Sequence, residues 1–229
     1  MIRAVLFDAG ATLVHPDPPV EAVYAREFAA DGARFSEEDL ARALTRAWEE
    51  VHAGASGTDR YGGVSGEPRF WRVFLGRVRS LLDGQDVSPA AFGRLADHFR
   101  SPKAWAIYDD VVATLGELSR RGLKLAIVSN WDSHLPKLLA ALDLDRFFRV
   151  VAVSAIEEVG KPDPEIFRRA CERLGVPPSE SLHVGDSVTE DYEAARAAGL
   201  SALLLDRGDR HPHVAERIRS LGELPERLA

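Results

Sequence analysis

The chain has 229 residues, of which 45% are hydrophobic, so it is long enough to bury one sizeable core and a smaller second one. Its formal net charge of −7 at pH 7 gives no basic face for a nucleic-acid backbone, and we expect no nucleic-acid partner. No apolar run is long enough to cross a bilayer, and the first residues show no signal-peptide pattern. These features predict a cytoplasmic protein with no membrane partner.

The N-terminal part of the chain changes character near residue 15. Ala4–Phe7 is a short apolar run that ends at Asp8, which predicts a buried strand followed by a turn. From residue 15 to residue 100 the apolar residues recur at helical spacing and predict a small domain of four helices. Gly54–Gly66, between the second and third of these helices, is rich in glycine and serine and predicts a mobile loop. The large apolar side chains of the segment are interpreted as the core of the helical bundle, among them Trp48, Phe70, Trp71, Phe74 and Phe92.

Helical and strand patterns alternate in the rest of the chain. The predicted strands are Leu123–Val128, Arg149–Val153, Ser181–Val184 and Ser201–Leu205. The predicted helices are Val111–Arg121, Leu135–Leu142, Pro164–Gly175 and Glu190–Ala198. Because such alternation is typical of a parallel sheet with helices on both faces, the sequence predicts an α/β fold. Residues 1–14 and 101–229 would form this doubly wound sheet, and residues 15–100 the smaller all-helical domain.

Four polar positions follow predicted strands: Asp8, Ser129, Asp186 and, somewhat further along the chain, Lys161. In an open α/β sheet the carboxyl ends of the strands border one crevice, so these side chains are expected to meet there. Each has an ordinary interpretation on its own: a turn or helix-cap aspartate, the exit of a strand, or a solvated loop lysine. Together and in this order they indicate an active site.

The same positions lie in four segments that resemble the motifs of the haloacid dehalogenase (HAD) superfamily. The segments are Phe7–Leu13, Ile127–Asn130, Gly160–Phe167, and Val184–Ser187 with Asp191. The resemblance covers the chain from residue 2 to about residue 205. It implies a Rossmann-like core, with residues 15–100 as the helical cap that this family inserts after its first motif.

The resemblance also implies a nucleophilic mechanism. Asp8 would attack phosphorus and form an aspartyl-phosphate, which divides one difficult displacement into two easier ones. Ser129 would donate a hydrogen bond to the phosphoryl group, and Lys161 would neutralise negative charge on that group and on Asp8. Three backbone amides would complete the phosphate cradle, those of Ala9, Gly10 and Asn130.

A Mg²⁺ ion is the cofactor that the resemblance implies. Its ligands would be the carboxylates of Asp8 and Asp186 and the backbone carbonyl of Gly10, with Asp191 supporting it through water. Hard oxygen ligands together with retained water molecules are what Mg²⁺ prefers. The implied partner is a small phosphorylated substrate, whereas the sequence indicates neither its identity nor the oligomeric state.

One position departs from the family's phosphatases, which carry a second aspartate two residues after the nucleophile. This chain has Gly10 there, which offers no proton to a leaving group, and loss of such an acid typically costs about 10²–10⁴ in rate. A glycine can also adopt a positive φ, where an aspartate would be strained. His15, Asp17 or a residue of the loop in the cap are candidates to replace the missing acid.

Three functional hypotheses remain: a Mg²⁺-dependent phosphatase, a weakly active or non-catalytic phosphate-binding protein, and a haloacid dehalogenase. The dehalogenase branch also lacks the second aspartate and uses no metal, but it carries Ser and Asn where this chain has Gly185 and Asp186. The phosphonatase branch needs a cap lysine for a Schiff base, and residues 15–100 contain none. The metal-dependent phosphatase is the hypothesis that the residues favour.

Overall fold

Eight strands occur in residues 1–52, 61 and 63–228, the part of the chain that the computed structural model describes. They are β1 (Ala4–Phe7), β2 (Val14–Pro16), β3 (Trp105–Ile107), β4 (Lys124–Ser129), β5 (Val150–Val153), β6 (Ser181–Gly185), β7 (Ser201–Leu205) and β8 (Arg217–Ile218). Six of them form one sheet in the order β5-β4-β1-β6-β7-β8, and every neighbouring pair is parallel. The remaining two, β2 and β3, pair antiparallel in a separate small sheet.

Ten α-helices lie in the same part of the chain. They are α1 (Val20–Ala29), α2 (Glu37–His52), α3 (Gly63–Leu82), α4 (Pro89–Arg100), α5 (Val111–Arg120), α6 (Leu135–Ala141), α7 (Ser154–Glu157), α8 (Pro164–Leu174), α9 (Ala194–Ala197) and α10 (Leu224–Arg227). The first four follow one another between β2 and β3, and the others alternate with the strands of the large sheet. None of the helices in the described residues is both long enough and apolar enough to cross a membrane.

Alternate residues of the central strand β1 supply two cores, one on each face of the sheet. Val5 and Phe7 pack in a cluster that includes side chains of α5 and α6, whereas Ala4 and Leu6 pack in one that includes α8 and α9. All four are fully buried, which explains why the sequence of β1 is a continuous apolar run rather than an alternating one. The structure therefore confirms the predicted doubly wound parallel sheet.

The helices α1–α4 have a core of their own, separate from the two cores of the sheet. Its buried members include Val23, Phe28, Leu40, Phe74 and Val78. The small sheet joins the two ends of this helical segment, with Val14 opposite Ile107. The short strands β2 and β3 were not predicted from the sequence. The division into domains at residues 15 and 100 stays a prediction.

The mobile loop predicted for Gly54–Gly66 is wrong at its C-terminal end, because α3 already begins at Gly63. Residues 54–60 and 62 lie outside the described residues. Tyr61 is buried, with 4% of its surface exposed, and its ring packs against Phe70 at 4.7 Å between centroids. This aromatic contact accounts for an ordered position within a segment whose composition favours a loop.

The helix predicted for Glu190–Ala198 also differs, since residues Val188–Glu193 form a π-helix and only Ala194–Ala197 are α-helical. The wider turn follows from a shared acceptor: the carbonyl of Ser187 receives the backbone N–H groups of both Asp191 and Tyr192, at 3.1 Å each. Bonds from residue i+5 widen a helix in this way, and such segments are frequent at functional sites. In this protein the π-helix carries Asp191 to the edge of the sheet.

Candidate active site

The carboxyl ends of the central strands bring the polar residues of the sequence motifs together. Asp8 follows β1, Ser129 ends β4, and Asp186 follows β6. Lys161 lies in the segment between α7 and α8. All four line one cavity, together with Gly10, Asn130 and Asp191. Ala9 is fully buried, and its carbonyl accepts the backbone N–H groups of Leu13 and Val14.

Lys161 is the centre of the charge network. Its ammonium Nζ donates to Oδ1 of Asp8 at 2.7 Å and to Oδ1 of Asp191 at 2.6 Å. Only 3% of Lys161 is exposed, and burial by itself would lower its pKa. The two carboxylates outweigh burial and hold the pKa of Lys161 above its ordinary value, so the ammonium stays charged. A charged group buried this deeply is stable only because both partners are anionic.

The pKa values of the two carboxylates beside Lys161 are shifted in opposite directions, although burial acts to raise both. It raises the pKa of Asp8, with a further increase from the neighbouring Asp191, while Lys161 and a hydrogen bond from Ser129 act against the rise. At Asp191 burial is again the largest influence, but Lys161 and His183 overcome it and hold the pKa of that carboxyl below its ordinary value. Asp191 is therefore a fixed anion, and Asp8 is the carboxylate whose charge depends on its surroundings.

His183 is a site residue that the motif analysis missed. It is fully buried in β6, and its Nε2 lies 2.9 Å from Oδ1 of Asp191. The other oxygen of Asp191 accepts the backbone N–H of Ser187 at 3.0 Å. A Cβ on Gly185 would overlap the Asp191 carboxylate, so this position requires a glycine. The available signal in the sequence was a histidine between Leu182 and Val184 of a predicted buried strand, a position where a polar side chain needs a partner.

Three carboxylates at this edge of the sheet could hold a metal ion: those of Asp8, Asp186 and Asp191 contribute oxygens within 4.8 Å of one another. The Lys161 ammonium pairs with two of them, which leaves an excess of negative charge. Burial, followed by the charges of Asp8 and Asp191, raises the pKa of Asp186 to about 7. A hard divalent cation would relieve this repulsion, and the set of oxygen ligands suits Mg²⁺. Because both oxygens of Asp191 already hold protein donors, Asp8 and Asp186 are the better placed of the three for direct coordination.

The side chain of Asn130 positions the segment that carries Lys161. Its Oδ1 accepts the backbone N–H of Lys161 at 2.8 Å, and its Nδ2 donates to the Lys161 carbonyl at 2.8 Å and to Oε2 of Glu190 at 2.9 Å. A Cβ on Gly160 would lie 2.6 Å from this Oδ1, so a glycine allows the close approach. The side chain of Asn130 is therefore fully engaged in holding the segment of Lys161 and Glu190. Glu190, which lines the cavity, was not identified from the sequence.

Trp131 packs against the position where the family's phosphatases have their second aspartate. A Cβ built on Gly10 would lie 3.2 Å from Cζ3 of the Trp131 indole. The φ angle of Gly10 lies outside the left-handed region, so crowding by the indole, and not backbone strain, limits a larger residue at this position. Strain from a positive φ, which a glycine can adopt, therefore does not arise at residue 10.

His15 and Asp17, two of the candidates to replace the missing acid, do not reach the cavity. His15 packs on Tyr108 with 4.6 Å between ring centroids, and its Nδ1 lies 3.1 Å from the carbonyl of Pro16. Asp17 is exposed. Neither is among the described residues that line the cavity. An acid or base at residue 15 or 17 would have to move before it could serve a substrate bound at Asp8.

The cavity has a volume of about 760 Å³ and extends from the sheet edge to the helices α1–α4. One end is formed by the charged network described above. The other end is apolar and mainly aromatic, with Tyr24, Trp48, Tyr61, Trp71, Phe74, Phe92 and Phe99 in its wall. Apart from Tyr61, which belongs to the predicted loop, these side chains were interpreted as bundle core from their spacing, and they also line the cavity.

The parallel α/β sheet, the buried lysine between two carboxylates and the four helices inserted between β2 and β3 are the features to compare with known proteins. The model of the haloacid dehalogenase-like hydrolase family matches residues 2–199 of this chain. The chain belongs to that family and is a hydrolase.

Individual relatives cover almost the whole chain. The zebrafish (Danio rerio) haloacid dehalogenase-like hydrolase domain-containing protein 3 is 33% identical, across 99% of this chain and 96% of the relative. The glyceraldehyde 3-phosphate phosphatase of Methanopyrus kandleri is 33% identical, across 91% of this chain and 85% of the relative. A crystal structure of a HAD phosphatase from Thermococcus onnurineus is 28% identical and superposes with a TM-score of 0.71, over 100% of this chain and 98% of the other. Structures of dehalogenases also match, so the fold is shared by both chemistries.

Proposed function

We propose that the chain is a Mg²⁺-dependent phosphatase that acts on a small phosphorylated molecule through an aspartyl-phosphate at Asp8. The observation that carries the proposal is the buried Lys161 ammonium, 2.7 Å from Asp8, beside the carboxylates of Asp186 and Asp191. An ammonium and an acidic cluster on either side of a nucleophilic carboxylate match what an incoming phosphoryl dianion requires.

The chain's own residues account for the displacement. An oxygen of Asp8 forms a bond to phosphorus while the ester P–O bond breaks, and its electron pair leaves on the substrate oxygen. Lys161 balances the charge of Asp8 and of the phosphoryl group, and Ser129 donates to a phosphoryl oxygen. Water then attacks phosphorus, which releases phosphate and restores the Asp8 carboxylate. Because Gly10 carries no acid, the leaving oxygen has to take its proton from elsewhere.

The proposed metal site uses the carboxylates of Asp8 and Asp186 and the carbonyl of Gly10, with Asp191 linked through water. Mg²⁺ bound there would supply positive charge next to the phosphoryl oxygens. The acidic cluster favours this function over that of a dehalogenase, since the metal-independent branch carries Ser and Asn at the positions that correspond to Gly185 and Asp186 of this chain. Similarity to a phosphatase over 91% of the chain supports the same choice.

A second candidate is a phosphate-binding protein with slow turnover. It is favoured by one observation: Trp131 occupies the space beside Gly10, at 3.2 Å from the position of a Cβ, where the acid of active relatives would stand. Such a protein would bind Mg²⁺ and phosphate at the same residues but would hydrolyse esters poorly.

The experiment that separates these functions measures phosphate release from acetyl phosphate and halide release from chloroacetate, each with Mg²⁺ and with a chelator. We expect phosphate release that requires Mg²⁺ and that falls by about 10⁴-fold or more in Asp8→Asn, since the nucleophile is removed. Asp109→Asn, an exposed aspartate outside the cavity lining, is the matched control and should not change the rate.

Each alternative has its own signature in the same assays. Halide release in the presence of the chelator would establish a dehalogenase instead. Mg²⁺ binding by calorimetry without phosphate release would establish the phosphate-binding protein. Mass spectrometry of acid-quenched protein should find the phosphoryl group on Asp8, and an unmodified Asp8 during rapid turnover would overturn the proposed nucleophile.

A further inference from the structure

The wall opposite Asp8 has the composition of a binding site for a large aromatic group. It presents Tyr24, Trp48, Trp71, Phe74, Phe92 and Phe99 to the cavity. Several of these rings are held edge to face, with 5.9 Å between the centroids of Trp71 and Phe74 and 5.7 Å between those of Trp48 and Phe74. Rings fixed in this way form a preorganised apolar surface, which binds a flat apolar ligand without a large loss of side-chain entropy.

The size of the cavity excludes a close fit to a small leaving group. A volume of about 760 Å³ lies in the range of sites that enclose drug-sized ligands. A phosphorylated compound of two or three carbons would fill only the end beside Lys161 and would leave the aromatic wall in contact with water. Burial of that wall by a substrate would add binding energy that a small leaving group cannot use.

The charged residues on the wall determine which charge a bound leaving group can carry. Glu21 and Glu49 line the cavity from α1 and α2, and Arg100 is the one arginine among the described lining residues. Acids outnumber cations at this end, so a leaving group that carries a carboxylate or a second phosphate would be disfavoured. An uncharged group is not penalised by either glutamate.

The chemistry at Gly10 points in the same direction. Without an acid at that position, a leaving oxygen departs well only if it is a stable anion. A phenolic oxygen, with a pKa of about 10 as in tyrosine, is far more stable as an anion than an alkoxide, whose parent acid resembles water at about 15.7. The P–O bond would break with its electron pair on the aryl oxygen, and the aryloxide would take a proton from water after it leaves.

We infer that the natural substrate is the phosphate monoester of a bulky, uncharged phenolic compound, whose aromatic part lies against the wall formed by α1–α4. This inference rests on the proposed phosphatase function. It assigns substrate selectivity to the aromatic side chains of the helices and leaving-group selectivity to Gly10.

The test compares kcat/KM for four phosphate esters, three of which form a series that changes one property at a time. From phenyl phosphate to 2-naphthyl phosphate the leaving-group acidity is similar and the apolar area grows, and we expect a gain of about tenfold. From 2-naphthyl phosphate to 2-naphthylmethyl phosphate the area is similar and the leaving group becomes an alkoxide, and we expect a loss of about 10²-fold or more. Phosphoglycolate, small and anionic, should be the poorest substrate.

Two variants test whether the preference for the naphthyl ester comes from the aromatic wall. Trp48→Ser should reduce the ratio of the 2-naphthyl to the phenyl value to about threefold or less, because part of the aromatic surface is lost. Trp48 is 37% exposed, so the protein should still fold. Val73→Ser changes an apolar residue of α3 that is 54% exposed and does not line the cavity, and it should leave the ratio unchanged.

The outcomes separate the inference from the function on which it rests. If acetyl phosphate is hydrolysed with Mg²⁺ but 2-naphthyl phosphate is no better than phenyl phosphate, the aromatic assignment is overturned and the phosphatase stands. Equal rates for the naphthyl and naphthylmethyl esters would overturn the phenolic part alone. If no ester is hydrolysed, the phosphatase fails, and the dissociation constants of the naphthyl and phenyl esters for Asp8→Asn, measured by calorimetry, then decide whether the wall binds aromatic groups.

Discussion

The two ends of the cavity are built on different physical principles. At the sheet edge, Lys161, Asp8 and Asp191 are joined by charged hydrogen bonds of 2.6 to 2.7 Å, and each group has a required partner. At the helical end, rings pack on one another at centroid distances near 6 Å, and no single contact is indispensable. We therefore expect substitutions at the first end to abolish function and substitutions at the second to change substrate selectivity gradually.

Gly10 lies against Trp131, and changing both residues together should have the largest effect on the rate among the variants that follow. Gly10→Asp restores an acid beside the leaving oxygen, but its Cβ would lie 3.2 Å from the Trp131 ring. We expect little gain from this single variant. Gly10→Asp combined with Trp131→Leu makes room for the carboxyl and should raise kcat for alkyl phosphates by up to about 10²–10⁴.

The control is Trp131→Leu alone, which opens the same space without adding an acid. Steady-state rates with an alkyl phosphate, together with the lifetime of the phosphoryl label on Asp8 in rapid-quench experiments, measure the effect. The label should disappear faster in the double variant, since the added carboxylate can deprotonate water. If the native protein already hydrolyses alkyl phosphates rapidly and never accumulates the label, another residue supplies the proton and the role given to Gly10 is wrong.

Replacing Asp186 tests the metal site at the charged end of the cavity without changing the aromatic wall. Asp186→Asn should weaken Mg²⁺ binding by at least about 10–100-fold, a loss that is typical even of outer-shell partners. The pKa of Asp186 is raised to about 7, so its carboxyl is neutral below that pH and protons compete with the cation. Calorimetric titration should find that the Mg²⁺ affinity of the native protein falls as the pH is lowered from 8 to 6, and that the variant loses most of this dependence.

The Asp186 carboxyl should also make the stability of the folded protein depend on pH. Its pKa is higher in the folded than in the unfolded protein, so without Mg²⁺ it contributes a loss of stability as the pH rises from about 4 to about 7. Added Mg²⁺ should remove this loss, seen as a larger rise in Tm with Mg²⁺ at pH 8 than at pH 5. Asp132→Asn, at an acidic lining residue outside the cluster, should behave like the native protein. Unchanged Mg²⁺ affinity in Asp186→Asn would refute the metal site.

Sequence patterns identified most of the charged residues at the sheet edge, because each lies at or soon after the end of a strand, whereas His183 inside β6 was missed. Asp8 and Asp186 each follow a strand directly and Ser129 ends one, and parallel strands bring their carboxyl ends together at one edge of the sheet. The aromatic wall could not be obtained in this way. Trp71 and Phe74 repeat at the spacing of a helix core, and the same spacing serves a side chain that faces a cavity. The contact of Trp131 with Gly10 joins residues far apart in the sequence, and no pattern predicts such a pair.

Glu67 offers a test of how the two ends are held together, with the smallest expected effect. Its carboxylate, on α3, accepts the backbone N–H of Ser133 at 2.6 Å and the Ser133 hydroxyl at 3.1 Å, so it joins the helices to the loop after β4. Glu67→Ala should raise KM for a bulky ester by about three- to tenfold, the range expected for a partly solvated charged hydrogen bond. The kcat should change less, because Asp8 and Lys161 are not touched.

A double-mutant cycle with Ser133→Ala separates the two hydrogen bonds of Glu67. Ser133→Ala removes only the hydroxyl donor and should cost less than Glu67→Ala, and the double variant should cost no more than Glu67→Ala alone, because both changes act on one contact. Glu38 is an exposed glutamate on α2 whose partner is Arg42. Glu38→Ala controls for the loss of one negative charge from the helices α1–α4 and should leave KM unchanged. Additive effects of Glu67→Ala and Ser133→Ala would show that the two side chains act independently. Glu67 would then act through the backbone N–H of Ser133 and not through its hydroxyl.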